Sequence, residues 1–226
     1  MQCAEIELKF PVSDLAQLQS RLPGLGFLLE TPRTFEQNTL FDTHSRTLRE
    51  SNQLLRIRQY GDIWTLTHKR KPDKEAFGAT ASARYKVRIE TETHVDDGPA
   101  LAAIFDQLGY LPVFRYEKYR TEWSQVDTTI EGPLFTDPEF LGESSIPAIS
   151  KHLVLDETPI GDYAELEGPP AWIDQTLARL GVDPASCITD SYGRLFLAWK
   201  QRTGSGDCEN LTFDEVRIAA LQPALG

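Results

Sequence analysis

Cysteine is scarce in this chain: Cys3, Cys187 and Cys208 stand far apart, without C-x-x-C spacing. A disulfide framework or a thiolate zinc site is therefore not expected, and reduced thiols fit a cytoplasmic protein. The four histidines, His44, His68, His94 and His152, are isolated, and no H-E-x-x-H pair occurs. There is no Walker phosphate loop and no G-x-G-x-x-G turn. No apolar run approaches the roughly 20 residues of a membrane-spanning helix. The opening MQCAEIELKF lacks the basic end and apolar stretch of a secretory signal. Positive charge is also in deficit, with 23 Lys and Arg against 34 Asp and Glu, a net charge of −11. That balance argues against nucleic-acid or anionic-membrane partners, which need a positive field. Taken alone, it argues against a strongly anionic substrate as well.

What remains is an ordinary globular composition: 226 residues, 40% hydrophobic and 25% charged, enough chain for a sizeable core. Residues 4–10 alternate as a strand, and Ser13 or Asp14 can cap a helix over 15–22 that stops near Pro23-Gly24. Further strands are expected at 34–42, 53–60, 63–70, 84–95, 113–126, 152–157 and 162–168, with tight turns at Gly61-Asp62 and 158–161. Helices are expected at about 99–109, 170–181 and 190–202. Residues 72–82 read as a loop and 128–150 as a Pro/Gly/Ser-rich excursion. The organisation expected is one domain over 1–202 with a flexible C-terminal tail, 203–226, that is either free or a loosely docked helix.

Strand parity carries the functional signal, because side chains at i, i+2 and i+4 share a face. Glu5, Glu7 and Lys9 lie opposite Ile6, Leu8 and Phe10; Arg56 and Arg58 lie opposite Leu55 and Ile57. Thr65, Thr67 and Lys69 oppose Trp64 and Leu66, and Arg84, Lys86, Arg88, Glu90 and Glu92 oppose Tyr85, Val87 and Ile89. Lys118, Arg120 and Glu122 oppose Tyr119 and Trp123; Asp156 and the pair Glu165 and Glu167 complete the set. One such strand is the solvated face of an ordinary antiparallel sheet. Seven in succession, with so few neutral polar residues, point to a curled sheet whose charged face lines a lumen. Bases there can bind phosphate oxygens, and carboxylates can hold a hard divalent cation.

The ExExK opening (Glu5, Glu7, Lys9), LLRIR at 54–58, TLTHKRKP at 65–72, VRIETE at 87–92 and HLVLDETPIGDYAELEG at 152–168 resemble, in order, the CYTH domains, also called triphosphate tunnel metalloenzymes. The resemblance covers roughly residues 3–200. It implies an α+β fold: an eight-stranded antiparallel β-barrel forming a tunnel, with helices packed outside. It implies Mg²⁺ or Mn²⁺ held by Glu5, Glu7, Asp156, Glu165 and Glu167, with Glu90 and Glu92 as further ligands or as partners of the bases. Lys9, Arg56, Arg58, Lys69 and Arg120 would grip the phosphates, Lys9, Lys69 and Arg120 at the reacting centre. Lys86, Arg88 and Lys118 are additional contacts. Two departures stand out. Leu40 occupies the strand position where many hydrolytic members carry tyrosine, and Arg194 is the nearest substitute for a lysine near the C-terminal helix.

The activities implied are those of a class IV adenylate cyclase, ATP to cyclic AMP and pyrophosphate, or of a triphosphatase acting on inorganic or thiamine triphosphate. A non-catalytic triphosphate sensor is the alternative, and a homodimer is the family-level expectation. The charge deficit then takes another meaning. Of the 23 basic residues, 12 fall between Arg56 and Arg120, where most of the proposed lumen lies. Distribution, rather than net charge, indicates an anionic ligand.

Overall fold

The computed structural model describes residues 2–72, 84–125 and 151–221. The excursion at 128–150 and most of the loop at 72–82 lie outside the described residues. The strands are β1 (Gln2–Val12), β2 (Leu28–Thr43), β3 (Leu54–Tyr60), β4 (Ile63–Arg70), β5 (Lys86–Val95), β6 (Tyr110–Ser124), β7 (His152–Thr158) and β8 (Gly161–Glu167). They close into one antiparallel barrel in the order β1-β5-β4-β3-β2-β6-β7-β8, and β8 returns to β1. Closure leaves no strand edge unpaired among these eight. The helices are α1 (Leu15–Arg21), α2 (Thr47–Glu50), α3 (Gly98–Gln107), α4 (Pro170–Leu180), α5 (Tyr192–Thr203) and α6 (Phe213–Leu221).

Local chemistry explains the punctuation. Asp14 caps α1 by accepting from the Gln17 N–H at 2.8 Å, and Asp97 does the same for α3 at Ala100, 2.8 Å. The β3–β4 hairpin turns at Gly61, whose φ of 58° suits glycine. β2 starts at Leu28, six positions before the alternation suggests. Pro32 lacks an N–H for the ladder, and the pairing with β6 shifts register between Leu29 and Thr31 and again between Thr31 and Thr34. Those irregularities erase the period-2 pattern there.

The apolar faces of the strands point outward and are covered by helices. Ile6, Leu8, Phe10, Leu153, Leu155 and Leu166 pack with Trp172, Ile173 and Leu177 of α4 in the largest buried cluster. Each such side chain contributes about 1.5–3 kcal/mol by leaving water. α3 buries Phe105 against Phe41 and Ile57. Its first residue, Gly98, lies so close to Trp64 that a Cβ there would come within 2.1 Å of the indole. A third cluster joins Tyr116 of the wall to Tyr192 and Phe196 of α5 and to Cys208, Leu211 and Val216. Near the C-terminus α6 buries Val216, and before it Leu211 is fully buried, its N–H donating to the Arg115 carbonyl at 3.0 Å. No helix among the described residues is long and apolar enough to cross a membrane.

Candidate active site

The charged faces line a cavity of about 700 Å³ through the barrel. Because the strands alternate in direction, the carboxy ends of β1, β2, β4 and β7 share one barrel end with the amino ends of β3, β5, β6 and β8. The first turn of α5 lies at that end, where Ser191, Tyr192 and Gly193 line the cavity. In β1, Lys9 sits nearer this end than Glu7 and Glu5; in β5, Lys86 sits nearer than Glu90 and Glu92; in β6, Lys118 and Arg120 sit nearer than Glu122. Along these three strands the bases lie nearer α5 than the glutamates do.

Glu5, Glu7 and Glu167 each place a carboxylate oxygen within 4.8 Å of the others. β1 and β8 force this, since Glu7 and Glu167 are cross-strand partners, an arrangement that like charges oppose. Burial, then the neighbouring charges of Glu5, Glu165 and Glu7, push the Glu167 carboxyl up to about 8, against the pull of Arg120. Among the described residues no cationic side chain hydrogen-bonds Glu167. Glu5 accepts from Lys69 Nζ at 2.8 and 2.7 Å, and Glu7 accepts from Lys86 Nζ at 2.6 Å. Three hard oxygen donors this close suit a hard divalent cation.

Deeper in the wall, Asp156 is fully buried. It accepts from Arg120 Nε and Nη2 at 2.7 Å each, from Lys118 Nζ at 2.9 Å and from the Tyr192 hydroxyl at 2.5 Å. Lys9 donates to Glu165 and stands 4.2 Å from the centre of the Tyr192 ring. Arg120 also reaches Glu165 at 2.8 Å. Burial alone would lift the Glu165 carboxyl, but Lys9, Arg120 and Lys118 overcome it and hold that group well below the ordinary range. Lys69 also pairs with Glu90 at 3.0 Å, and Arg56 lies 4.0 Å from Glu90 and 3.7 Å from Glu92. Glu92 accepts from Thr67 at 2.7 Å.

The expected residues thus divide. Glu5, Glu7 and Glu167 come together; Asp156 does not join them and instead fastens Lys118, Arg120 and Tyr192, outside the cavity lining. Glu165, Glu90 and Glu92 line the cavity as partners of bases. Lys9, Arg56, Arg58, Lys69, Lys86, Lys118 and Arg120 all line it; Arg88 does not, and donates to the Val87 carbonyl at 2.9 Å. Arg194 is exposed and pairs with Asp190 at 3.5 Å. Leu40 does line the cavity, so the position carries no hydroxyl.

Two residues of this network were not foreseen. Glu36 is fully buried and pairs with Arg58 at 2.6 Å and Lys118 at 3.4 Å. Burial would raise its carboxyl; Lys118, Arg58, Arg120 and Arg56 outweigh that and hold it far below the usual range. Its parity with Leu40 was visible in 34–42, but Gln37, Asn38 and Thr39 make both faces of that stretch polar. Tyr192 carried no signal beyond lying in the expected helix at 190–202, because docking of α5 onto the barrel is a tertiary fact. Burial and the charges of Asp156 and Glu165 push its hydroxyl far above the ordinary phenol range.

The family model for the CYTH domain matches residues 4–134. A protein of Methanocaldococcus jannaschii named as a candidate adenylate cyclase, MJ0240, is 30% identical over 159 residues, 68% of this chain and 84% of that one. Among solved structures, PH1819 of Pyrococcus horikoshii superposes with a TM-score of 0.61 at 19% identity, covering 86% of this chain and 98% of that one. HpAC1 of Hippeastrum, a candidate adenylyl cyclase described as having a dominant triphosphatase activity, gives 0.54 at 17% identity, covering 88% and 96%. At such identities these structures share the fold. The tunnel, its ExExK strand and the match over most of the chain lead to one assignment: the chain belongs to the CYTH domain family.

Proposed function

We propose that this protein is a divalent-metal-dependent enzyme acting on a triphosphate held in the barrel tunnel. The observation that carries the reading is the meeting of Glu5, Glu7 and Glu167 within 4.8 Å, in a cavity that seven lysine and arginine side chains also line. Neither sign alone suits a polyphosphate: bases without metal leave its oxygens under-neutralised, and carboxylates without bases repel it. Glu5, Glu7 and Glu167 would hold Mg²⁺ or Mn²⁺, which when bound supplies charge neutralisation at the phosphoryl oxygens. Lys9, Lys69 and Arg120 would contact those oxygens as charge develops, with Arg56, Arg58, Lys86 and Lys118 gripping the remaining phosphates. Asp156 and Glu36 fix the directions of Arg120, Lys118 and Arg58, so these donors need little reorganisation.

Two reactions fit this framework. Attack of the ribose 3′-oxygen on the α-phosphorus of ATP would give cyclic AMP and pyrophosphate; attack of water on the terminal phosphorus would give orthophosphate. Leucine at position 40 removes the hydroxyl that a tyrosine-assisted hydrolysis needs, which favours cyclisation, as does the cyclase name of MJ0240. The triphosphatase activity described for HpAC1 supports hydrolysis as the second reading. Purified protein with Mg²⁺ or Mn²⁺ should be offered ATP, inorganic triphosphate and thiamine triphosphate in parallel. Cyclic AMP identifies the cyclase and orthophosphate from a triphosphate identifies the hydrolase. Tight binding of all three without turnover sinks the enzymatic reading.

A further inference from the structure

We infer that the pairs Glu7–Lys86 and Glu5–Lys69 make cation and triphosphate interdependent ligands of the tunnel, each ligand releasing the partner that the other takes. The inference rests on the reading above and adds how the same site discriminates. Its basis is pair sharing. The carboxylates offered to the cation are hydrogen-bonded to lysines offered to the phosphates: Glu7 to Lys86 at 2.6 Å, and Glu5 to Lys69 at 2.7 Å.

All four side chains are largely withdrawn from solvent, with 8% to 19% of each exposed. A cation that ligates Glu5 and Glu7 must weaken both charge-assisted bonds, because an ammonium group and a divalent ion repel at such separations. Lys86 then loses its carboxylate partner and Lys69 keeps only Glu90, at 3.0 Å, which is costly for side chains so withdrawn from solvent. A triphosphate relieves that cost by accepting from them. The converse holds equally. A bare triphosphate that recruits Lys69 and Lys86 strips Glu5 and Glu7 of their cations beside Glu167, which has none of its own among the described residues. Each ligand therefore raises the affinity for the other, and the coupling is reciprocal.

The charge of the cavity points the same way. Eight carboxylates and seven cationic side chains line it, close to balance. A bare triphosphate upsets that balance by about four to five negative charges, and a divalent cation bound with it offsets about two of them. The coupling is localised, because Lys118 and Arg120 pair with Asp156, which is not one of the three clustered acids.

The test is binding of Mn²⁺ alone to the full chain, followed by electron paramagnetic resonance or calorimetry. Lys86→Met and Lys69→Met are each expected to bind Mn²⁺ about tenfold more tightly than the parent, and Lys118→Met to change it by less than about threefold. Lys86→Arg should restore the parental affinity. With a methylene-bridged triphosphate present, the parent should gain Mn²⁺ affinity beyond that of the analogue itself, and Lys86→Met should lose most of that gain. Unchanged or weaker Mn²⁺ binding in both methionine variants, with thermal midpoints showing them folded, overturns the pair exchange. An equal gain in Lys118→Met also overturns it, by assigning the effect to net lumen charge. Glu7→Gln separates the two levels. If it abolishes parental Mn²⁺ binding while the lysine variants gain nothing, only this inference fails. If parent and Glu7→Gln behave alike, the metal-site reading fails with it. Should Lys86→Met not fold, Lys86→Gln and Lys69→Met carry the same comparison.

Discussion

Two sets of acids inside the barrel differ in how their charges are settled. Asp156 and Glu36 are saturated: four hydrogen bonds converge on Asp156 from Lys118, Arg120 and Tyr192, and Glu36 sits among Arg58, Lys118 and Arg120. Glu5, Glu7 and Glu167 instead crowd together, and burial with the neighbouring acids pushes the Glu167 carboxyl up to about 8. Buried charge that is fully paired fixes geometry; buried charge left partly unpaired invites a ligand. One set is the frame and the other is the receptor.

Substitutions should separate these roles. The largest effect is expected at the frame: Asp156→Ala removes the fully buried acid that Lys118, Arg120 and Tyr192 share, leaving Glu36 and Glu165 to neutralise the two bases, and should cost about 3–5 kcal/mol of stability, read as a drop in denaturation midpoint. A small shift there would erase the distinction between the two sets. Glu167→Gln should do the opposite, lowering metal-dependent turnover by about 10²-fold or more while leaving the protein as stable as the parent or more so. Tyr192→Phe removes one of Asp156's donors and should cost about 1–2 kcal/mol, because the acid keeps Lys118 and Arg120. Unaltered stability in that variant would show that the tyrosine is a lid on the frame and not part of it.

The smallest effect is the response to mild acid. Glu36, and Asp42, which accepts from the backbone N–H groups of Leu48 and Arg49, have carboxyl groups held below their ordinary values. A carboxyl lowered in the folded state stabilises fully above its unfolded value of about 4 and loses that contribution as the pH falls further. The thermal midpoint should therefore change little on their account between about pH 7 and 5 and fall below that. Glu36→Gln should start lower and show a shallower acid limb.

Much of this architecture was legible because the barrel writes itself in alternation. Every strand that separates apolar wall from charged lumen, such as β1 with Ile6, Leu8 and Phe10 against Glu5, Glu7 and Lys9, announces its face through period-2 parity. Parity fails where the ladder is irregular, which hid the first turns of β2 around Pro32, and where both faces are polar, which hid Glu36. It also places a residue on a face without naming its partner. Asp156 and Glu167 both reach the interior, yet only the register of β8 against β1 decides which of them meets Glu7. Arg194 failed for a helical reason: at 3.6 residues per turn, positions 192 and 194 face nearly opposite ways, so a first turn that sends Tyr192 inward sends Arg194 out.

The pairing of β1 with β8 has a consequence during synthesis. Glu5, Glu7 and Lys9 leave the ribosome long before β8, and Lys9 meets Glu165 only across 156 positions of sequence. Until the last strand emerges, the nascent chain can assemble walls but carries no complete set of cation ligands. Metal capture is thus coupled to completion of the barrel, and a fragment ending before β8 is expected to bind no ion at this place.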